Sequence, residues 1–203
     1  MTSRPAVPFV LGSSSPRRLA LLRQIGFVPH DVRAPDIDET PLEGELPRAY
    51  ASRLALEKAQ AVHAAAAGSV VLAADTVVAC GRRILPKPEA GETEIARACL
   101  ERLSGRRHRV LGGLTVIDAS GRARSRLVTT IVHVARLTTK EIDAYLATGD
   151  WHGKAGGYAI QGRAAAFVPC IRGSCSNVVG LPLTEATHLL EQAGCRRTPD
   201  EPR

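Results

Sequence analysis

The sequence predicts an α/β fold in which helices flank a mixed β-sheet. Short apolar runs typical of buried strands alternate with segments whose apolar residues recur at helical spacing. Several of the predicted strands follow one another through short turns, which join antiparallel neighbours but not parallel ones. The chain has 203 residues and is 44% hydrophobic, which is enough to form a buried core. We therefore expect a mixed sheet rather than a strictly parallel one.

The first predicted unit is a strand, a loop and a helix. Residues 9–11 are apolar and form the strand, and residues 12–15 form a Gly-Ser-Ser-Ser loop. Ser15 suits the N-cap of a helix and Pro16 its first position. Gly26 is placed to end this helix.

A second helix and a buried strand follow. The helix is predicted over residues 47–67, and Lys58 falls on its apolar stripe. The strand is predicted over residues 69–80, with Asp75 in its middle. An ionised carboxylate inside an apolar strand is costly unless it is paired, bound to a metal or used as an acid or base. A satisfied structural Asp at a strand bulge is the alternative.

The remaining elements are read in the same way. Apolar and turn patterns predict strands over residues 83–88, 109–117 and 127–135, with a helix over residues 92–103 and a turn at residues 120–121. A capping box at residues 138–141 opens a short helix. A strand is expected over residues 167–171 and a last helix over residues 183–192. We expect residues 1–195 to form one domain and residues 196–203 a disordered tail.

Charge and composition exclude several functional classes. The net charge is +7, but three Phe, three Tyr and one Trp are few aromatic residues for stacking bases, so no nucleic-acid binding is expected. The apolar stretches are far shorter than the roughly 20 residues of a membrane span, and the N-terminus does not resemble a signal peptide. Five cysteines without a Cys-x-x-Cys pair predict free thiols. These features predict a cytoplasmic protein.

Lysine is scarce, since 4 of the 27 basic residues are Lys. A retained Lys in such a chain can mark a compact point charge that Arg does not replace. Lys58, on its apolar stripe, and Lys87, between two prolines, are candidate functional charges of this kind, although each alone could be a surface Lys.

Arg17 and Arg18 lie in the first turn of a helix, where the dipole disfavours cations unless an anion binds there.

The acidic run at residues 36–39 offers carboxylates that could share a divalent cation with Asp75, although such a run is more often a solvated loop. Carboxylates for a metal, cations for phosphate and a helix N-terminus are what phosphoryl chemistry requires. The sequence contains neither a Walker A loop nor a Gly-x-Gly-x-x-Gly motif. The common nucleotide-binding folds are therefore not indicated.

The sequence resembles the Maf family of nucleoside triphosphate pyrophosphatases. The matching segments cover nearly the whole chain in order: Ser13-Ser-Ser-Pro-Arg-Arg, Asp38-Glu-Thr, Arg53-Leu-Ala-Leu-Glu-Lys, Ala74-Asp-Thr-Val-Val, Lys87-Pro, Leu103-Ser-Gly, Lys154-Ala-Gly-Gly-Tyr-Ala-Ile-Gln-Gly and Val179-Gly-Leu-Pro-Leu. The resemblance implies an elongated mixed sheet flanked by helices, with two lobes around a central cleft, and a homodimer.

The resemblance also implies the activity and the site. A nucleoside triphosphate is hydrolysed to the monophosphate and pyrophosphate with a divalent metal, Mg²⁺ or Mn²⁺. The family's active-site base falls on Asp75 and its other acidic residue on Glu39, both candidate metal ligands. Its phosphate-contacting positions fall on Ser13, Arg18, Lys58 and Lys87. We expect Asp75, Glu39, Lys58 and Lys87 to be catalytic. We expect Ser13 and Arg18 to bind the substrate.

Base preference divides the family. Members that resemble this chain favour dTTP and UTP, whereas a sister group prefers 7-methyl-GTP. The positions that distinguish them fall on Arg17, Thr76 and Gln161, which we expect to determine specificity. A Gln amide can pair with O4 and N3–H of a uracil or thymine ring.

Three rival functions remain open. The first keeps the enzyme but changes the base, to 7-methyl-GTP or other modified nucleotides. The second is a nucleotide-binding regulator of septum formation without significant turnover, against which the retained Asp75, Glu39, Lys58 and Lys87 argue. The third is a basic nucleic-acid binder, whose affinity would fall steeply with salt.

Overall fold

The computed structural model of the chain describes residues 7–198. Seven strands lie within this range: β1 (Phe9–Gly12), β2 (Asp31–Arg33), β3 (Val70–Cys80), β4 (Arg83–Leu85), β5 (Arg107–Ile117), β6 (Ala123–His133) and β7 (Cys170–Arg172). The six α-helices are α1 (Pro16–Gln24), α2 (Pro47–Ala64), α3 (Thr93–Leu103), α4 (Thr139–Leu146), α5 (Cys175–Val179) and α6 (Leu183–Gln192). Two short 3₁₀ helices cover Ala155–Gly157 and Arg163–Phe167.

The strands form one sheet in the order β2-β1-β3-β5-β6-β7, and β4 pairs with β3. β1 runs parallel to both β2 and β3, and every other pair is antiparallel. β3, β5 and β6 form a long antiparallel core, in which a tight turn joins β5 to β6 at Gly121, with a positive φ of 85°. The predicted α/β fold with a mixed sheet is therefore confirmed.

The pleat of β3 divides the core between the two faces of the sheet, because successive side chains in a strand point to opposite sides. Ala73 packs with Ala59 of α2 on one face. On the other face Leu72 belongs to a core formed with α1 and α6, while Val78 belongs to a core formed with α3, α4 and the first 3₁₀ helix. Two separate cores thus share one face of the sheet, one towards each end of β3.

Some predicted boundaries agree with the structure and others differ. α6 has the predicted bounds and α4 has the predicted capping box. β5 ends where predicted but begins earlier, at Arg107, and β6 begins and ends nearer the turn than predicted, at Ala123 and His133, since backbone pairing continues through polar residues. β4 ends before Pro86, because the prolines around Lys87 cannot donate a ladder hydrogen bond.

The strand expected over residues 167–171 is present, but its predicted start is wrong. Residues 163–167 form the second 3₁₀ helix, and β7 covers only Cys170–Arg172. The ring of Phe167 packs edge-on against Tyr145 with 5.6 Å between centroids. Phe167 therefore lies in a 3₁₀ helix and serves a tertiary contact. β2 and α5 were not predicted.

The chain ends are described in part. Thr198 donates its N–H to the carbonyl of Gly26 at 2.8 Å, and Arg197 pairs with Glu191 at 3.0 Å. The rest of the expected tail, residues 199–203, and the N-terminal residues 1–6 lie outside the described residues. No helix within residues 7–198 is long and apolar enough to cross a membrane. All five cysteines are free, as predicted.

Candidate active site

One cavity of about 390 Å³ lies beside the middle of β3, between the part of β3 that pairs with β1 and the part that pairs with β4. Its walls come from the β1–α1 loop, the middle of β3, the segment around the first 3₁₀ helix and the turn after α5. It is lined by all nine residues selected from the sequence: Ser13, Arg17, Arg18, Glu39, Lys58, Asp75, Thr76, Lys87 and Gln161. The fold therefore brings together residues that are up to 148 positions apart in the chain.

Asp75 lies in the middle of β3 on the side that faces α2, and only 1% of its surface is exposed. Lys58 follows Ala51 and Ala55 on one face of α2, at the i, i+4 and i+7 spacing of a helical stripe. Its Nζ donates to Asp75 Oδ1 at 2.7 Å. The lysine predicted on an apolar stripe is thus the buried counter-ion of the carboxylate predicted inside a strand.

Two glycines of β5 allow this close approach. Gly113 is the partner of Asp75 across the ladder, and Gly112 is the partner of Thr76. A methyl group on Gly113 would overlap the carbonyl oxygen of Ala51 in α2, and one on Gly112 would overlap the side chain of Asn177 in α5. The absence of side chains here lets helices pack directly on both faces of the sheet beside Asp75.

Glu39 joins the pair from a loop. Lys58 Nζ is 2.8 Å from Glu39 Oε1, so the ammonium group lies between two carboxylates. Lys87 Nζ is 3.4 Å from Asp75 Oδ1 and 3.6 Å from Glu39 Oε2. The Tyr50 hydroxyl donates to the Glu39 carbonyl at 2.7 Å and positions the loop. The cluster therefore contains two lysines and two carboxylates.

Other carboxylates of the acidic run at residues 36–39 do not join this cluster. Asp36 and Asp38 are exposed and do not line the cavity. The Asp38 carboxylate accepts the N–H of Thr40 at 2.8 Å instead. The expectation that several carboxylates of this run could share a cation with Asp75 is wrong for these two, because both side chains face solvent outside the cavity.

The charges around Asp75 determine its protonation. Burial raises the pKa of Asp75, but the positive charges of Lys87, Lys58 and Arg18 outweigh burial and hold that pKa below its usual value. Asp75 is therefore ionised at neutral pH. Its Oδ2 atom has no hydrogen-bond partner among the residues that the structure describes. Asp75 lines the cavity, and a buried ionised carboxylate with one unpaired oxygen at such a place is a candidate proton acceptor or cation ligand.

The cluster fits a divalent cation in one particular way. No group of three or more His, Cys, Asp or Glu side chains within residues 7–198 could enclose a metal ion by itself. Mg²⁺, however, is usually held by one or two carboxylates together with substrate phosphates and water. Asp75, through its free Oδ2, and Glu39 fit that mode of binding.

Thr76 points to the opposite face of the sheet from Asp75 and contacts Arg18 of α1. The Arg18 guanidinium donates to Gly180 O at 2.9 Å, Ser13 Oγ at 2.9 Å and Thr76 Oγ1 at 3.2 Å. Burial lowers the pKa of Arg18, and the charge of Asp75 opposes that effect. All three acceptors are neutral, so the charge of Arg18 is not neutralised by direct contact.

Arg17 and Gln161 line the cavity without internal side-chain partners among the described residues. Arg17 is half-buried in the first turn of α1, where no acidic residue balances it. Gln161 is exposed at the rim, after the Tyr158-Ala-Ile tract. Both side chains are free to contact a ligand.

Sequence reasoning missed Lys154, His152 and Gly180, which also line the cavity. The scarcity of lysine in the sequence could have indicated Lys154. Three of the four lysines line this cavity, and the fourth, Lys140, is exposed on α4.

Comparison with known proteins gives consistent matches along the chain. Residues 8–193 match the Maf-like protein family. A dTTP/UTP pyrophosphatase of Paramagnetospirillum magneticum is 59% identical over 185 residues, which are 91% of this chain and 96% of that protein. A dTTP/UTP pyrophosphatase of Caulobacter vibrioides is 55% identical over 196 residues, which are 97% of this chain and 100% of that protein.

Among solved structures, a HAM1 protein from Coxiella burnetii is similar to this chain with a TM-score of 0.51. The two are 16% identical, and the match covers 91% of this chain and 99% of that one. At this identity the likeness concerns the fold alone, and it agrees with the mixed sheet flanked by helices.

Proposed function

The chain belongs to the Maf-like protein family, and from that membership we propose that it hydrolyses nucleoside triphosphates, with dTTP and UTP preferred, to the nucleoside monophosphate and pyrophosphate. One observation of the site carries the proposal. A buried, ionised Asp75 lies among cations at the floor of a cavity, with one oxygen free. That is the arrangement needed to activate water beside a phosphate.

In the reaction, water attacks the α-phosphorus and Asp75 takes its proton. The bond between the α-phosphorus and the bridging oxygen breaks, and pyrophosphate leaves with the electron pair. Lys58 and Lys87 hold the negative charge that grows on the phosphate oxygens. The negative charge of the bound triphosphate raises the pKa of Asp75 from its low value in the free protein, which improves its ability to accept a proton.

Asp75 and Glu39 would hold the divalent cation, Mg²⁺ or Mn²⁺, in this proposal. Such a cation, when bound, neutralises phosphate charge and lowers the pKa of a coordinated water. Lys58 separates the two carboxylates in the free protein. Its ammonium therefore shifts towards the phosphate oxygens when substrate and cation enter.

Base preference is assigned to Gln161 and Thr76, which line the same cavity. Gln161 has an amide without an internal partner, which can donate to O4 and accept from N3–H of uracil or thymine. Thr76 is held through Arg18, and its hydroxyl lies 3.4 Å from Gly180 O. A wrong base leaves such polar groups unpaired, so discrimination exceeds what shape alone provides.

The experiment is a substrate panel with the purified protein and either Mg²⁺ or Mn²⁺. UTP, dTTP, GTP and 7-methyl-GTP are compared, and pyrophosphate and orthophosphate are measured separately. We expect equal amounts of monophosphate and pyrophosphate and the highest kcat/KM for UTP and dTTP. Orthophosphate as the sole inorganic product would mean γ cleavage and would contradict the proposal.

The family resemblance supports two further parts of the proposal, a homodimer and a cytoplasmic location. Light scattering of the purified protein tests the first, with a mass near twice 21.6 kDa expected. Fractionation of cells that produce the protein tests the second.

A further inference from the structure

The charged groups that line the cavity are not evenly balanced. Five cationic side chains face two carboxylates, which leaves a net charge of +3. Lys58 and Lys87 are paired with Asp75 and Glu39. The excess positive charge therefore comes from residues outside that cluster: Arg17, Arg18 and Lys154.

The Arg18 guanidinium donates hydrogen bonds to three groups of the protein, whereas the charged groups of Arg17 and Lys154 remain largely available to a ligand. Neither Arg17 nor Lys154 forms an ion pair within residues 7–198, and Lys154 Nζ contacts only the carbonyl of His152, at 2.7 Å. Partial burial and the charge of Arg17 lower the pKa of Lys154, against the opposing effect of Asp150 and Glu89. Two cations that repel each other in a shared cavity are stabilised when an anion binds between them.

The backbone holds Lys154 in place opposite Lys87. Gly153 donates its N–H to Pro88 O at 2.9 Å, and Gly156 donates to Pro86 O at 2.8 Å. These two hydrogen bonds join the loop that carries Lys154 to the loop that carries Lys87. Lys154 is therefore a preorganised part of the cavity wall.

The N-terminus of α1 adds a third source of positive potential. The first turn of this nine-residue helix contains Arg17 but no acidic side chain. The helix dipole favours an anion at this end. With Arg17 and Lys154 it forms the part of the cavity whose positive charge has no carboxylate partner.

We infer that Arg17 and Lys154 form a subsite for the pyrophosphoryl part of the substrate, separate from the Asp75 cluster that acts on the α-phosphate. This role for Arg17 differs from the base specificity that the family resemblance implies. The inference rests on the proposed function. Of the two products, pyrophosphate carries the greater charge and has no neutral nucleoside attached. The subsite therefore also makes pyrophosphate an inhibitor of the enzyme.

The experiment compares inorganic pyrophosphate and UMP as inhibitors of UTP hydrolysis in the presence of Mg²⁺. Lys154→Met is the test variant, and Lys154→Arg restores the charge. Lys140→Met is the matched control, since Lys140 is exposed on α4 and outside the cavity. Thermal unfolding of each variant establishes that it is folded.

We expect Lys154→Met to raise the inhibition constant of pyrophosphate by about tenfold or more, the scale of one lost charge-assisted hydrogen bond. The constant for UMP should change less than twofold, Lys154→Arg should recover much of the loss, and Lys140→Met should match the wild type. An unchanged constant for pyrophosphate, an equal loss for both inhibitors, or a loss for UMP alone would each overturn the inference.

Calorimetric titration of pyrophosphate into the wild-type protein separates this inference from the proposed function. A wild type that binds pyrophosphate through Lys154 but does not cleave UTP would contradict the function and support the subsite. A wild type that cleaves UTP but binds no pyrophosphate would overturn the subsite alone.

Discussion

Asp75 on β3 and His108 on β5 are both buried polar residues of neighbouring strands, with 1% and 3% of their surfaces exposed. Each has one buried atom without a hydrogen-bond partner among the described residues, Oδ2 in Asp75 and Nδ1 in His108. Their surroundings differ. Asp75 faces the cavity and three cations, whereas His108 packs beside Tyr158, with 2.8 Å between Nε2 and the hydroxyl oxygen.

The difference has a direct effect on protonation. Cations keep Asp75 ionised inside the protein, while burial lowers the pKa of His108 to about 4 and keeps it neutral. A buried polar group therefore does not by itself mark a functional site. What distinguishes Asp75 is a compensated charge combined with an opening to a cavity large enough for a ligand.

The largest effect is expected from removing the charge of Asp75. Asp75→Asn should fold and bind nucleotide but lower kcat by about 100-fold or more, the scale for losing a positioned base. His108→Gln is the matched control on the neighbouring strand, because Gln can keep a hydrogen bond to Tyr158. It should keep kcat within about twofold. Near-normal turnover of Asp75→Asn in a steady-state assay would contradict the role of Asp75.

The next effect concerns stability and His108. Its folded pKa of about 4 lies below the unfolded value of 6.5, so the unfolded state binds more protons between these values. The stabilisation is complete above pH 6.5 and is lost as pH falls towards 4, and it amounts to about 2 kcal/mol between pH 7.5 and pH 5. Urea unfolding at the two pH values should show this loss in the wild type.

The same measurement on His108→Gln isolates the contribution of His108. The variant should lose about 2 kcal/mol less than the wild type over the same interval. Asp75 does not contribute in this interval, since its lowered pKa places its titration at more acidic pH. Equal pH dependence in the two proteins would show that His108 does not remain neutral in the fold.

Glu39 tests how far the cluster depends on its exposed member. Because 43% of its side chain is exposed, Glu39 is less essential to the charge balance than Asp75. Glu39→Gln should lower kcat/KM by about tenfold, and raised Mg²⁺ should restore part of it if Glu39 acts as a ligand. A titration of activity against Mg²⁺ measures this effect. The same metal dependence in variant and wild type would remove the ligand role.

The smallest expected effect is on base choice, at the exposed Gln161. Gln161→Ala should raise KM for UTP and dTTP and reduce their preference over GTP by about fivefold, since the variant loses a hydrogen bond worth about 1 kcal/mol. Cleavage should still occur between the α and β phosphates. Competition between UTP and GTP in one reaction measures the ratio directly, and an unchanged ratio would assign Gln161 a structural role.

The sequence by itself determined the features that depend on neighbours along the chain. The capping box of α4, the prolines that open α1 and α2 and the bounds of α6 follow from local hydrogen bonds and apolar spacing. A charged residue in an apolar strand or helical stripe can also be recognised from the sequence, because the free-energy cost of burying its charge follows from its apolar neighbours along the chain. Asp75 and Lys58 could therefore be selected before their contact was known.

The tertiary structure decided which of these residues meet and what they do together. The pairing of Lys58 with Asp75 depends on the close approach of α2 at Gly113, and no pattern within either segment specifies that approach. The loop of Lys154 lies at the cavity because its backbone is hydrogen-bonded to the loop of Lys87. Contacts between distant segments depend on the packing of the whole chain. The charge balance of the cavity therefore exists only in the folded protein. The same holds for the separation of the Asp75 cluster from the Arg17 and Lys154 subsite.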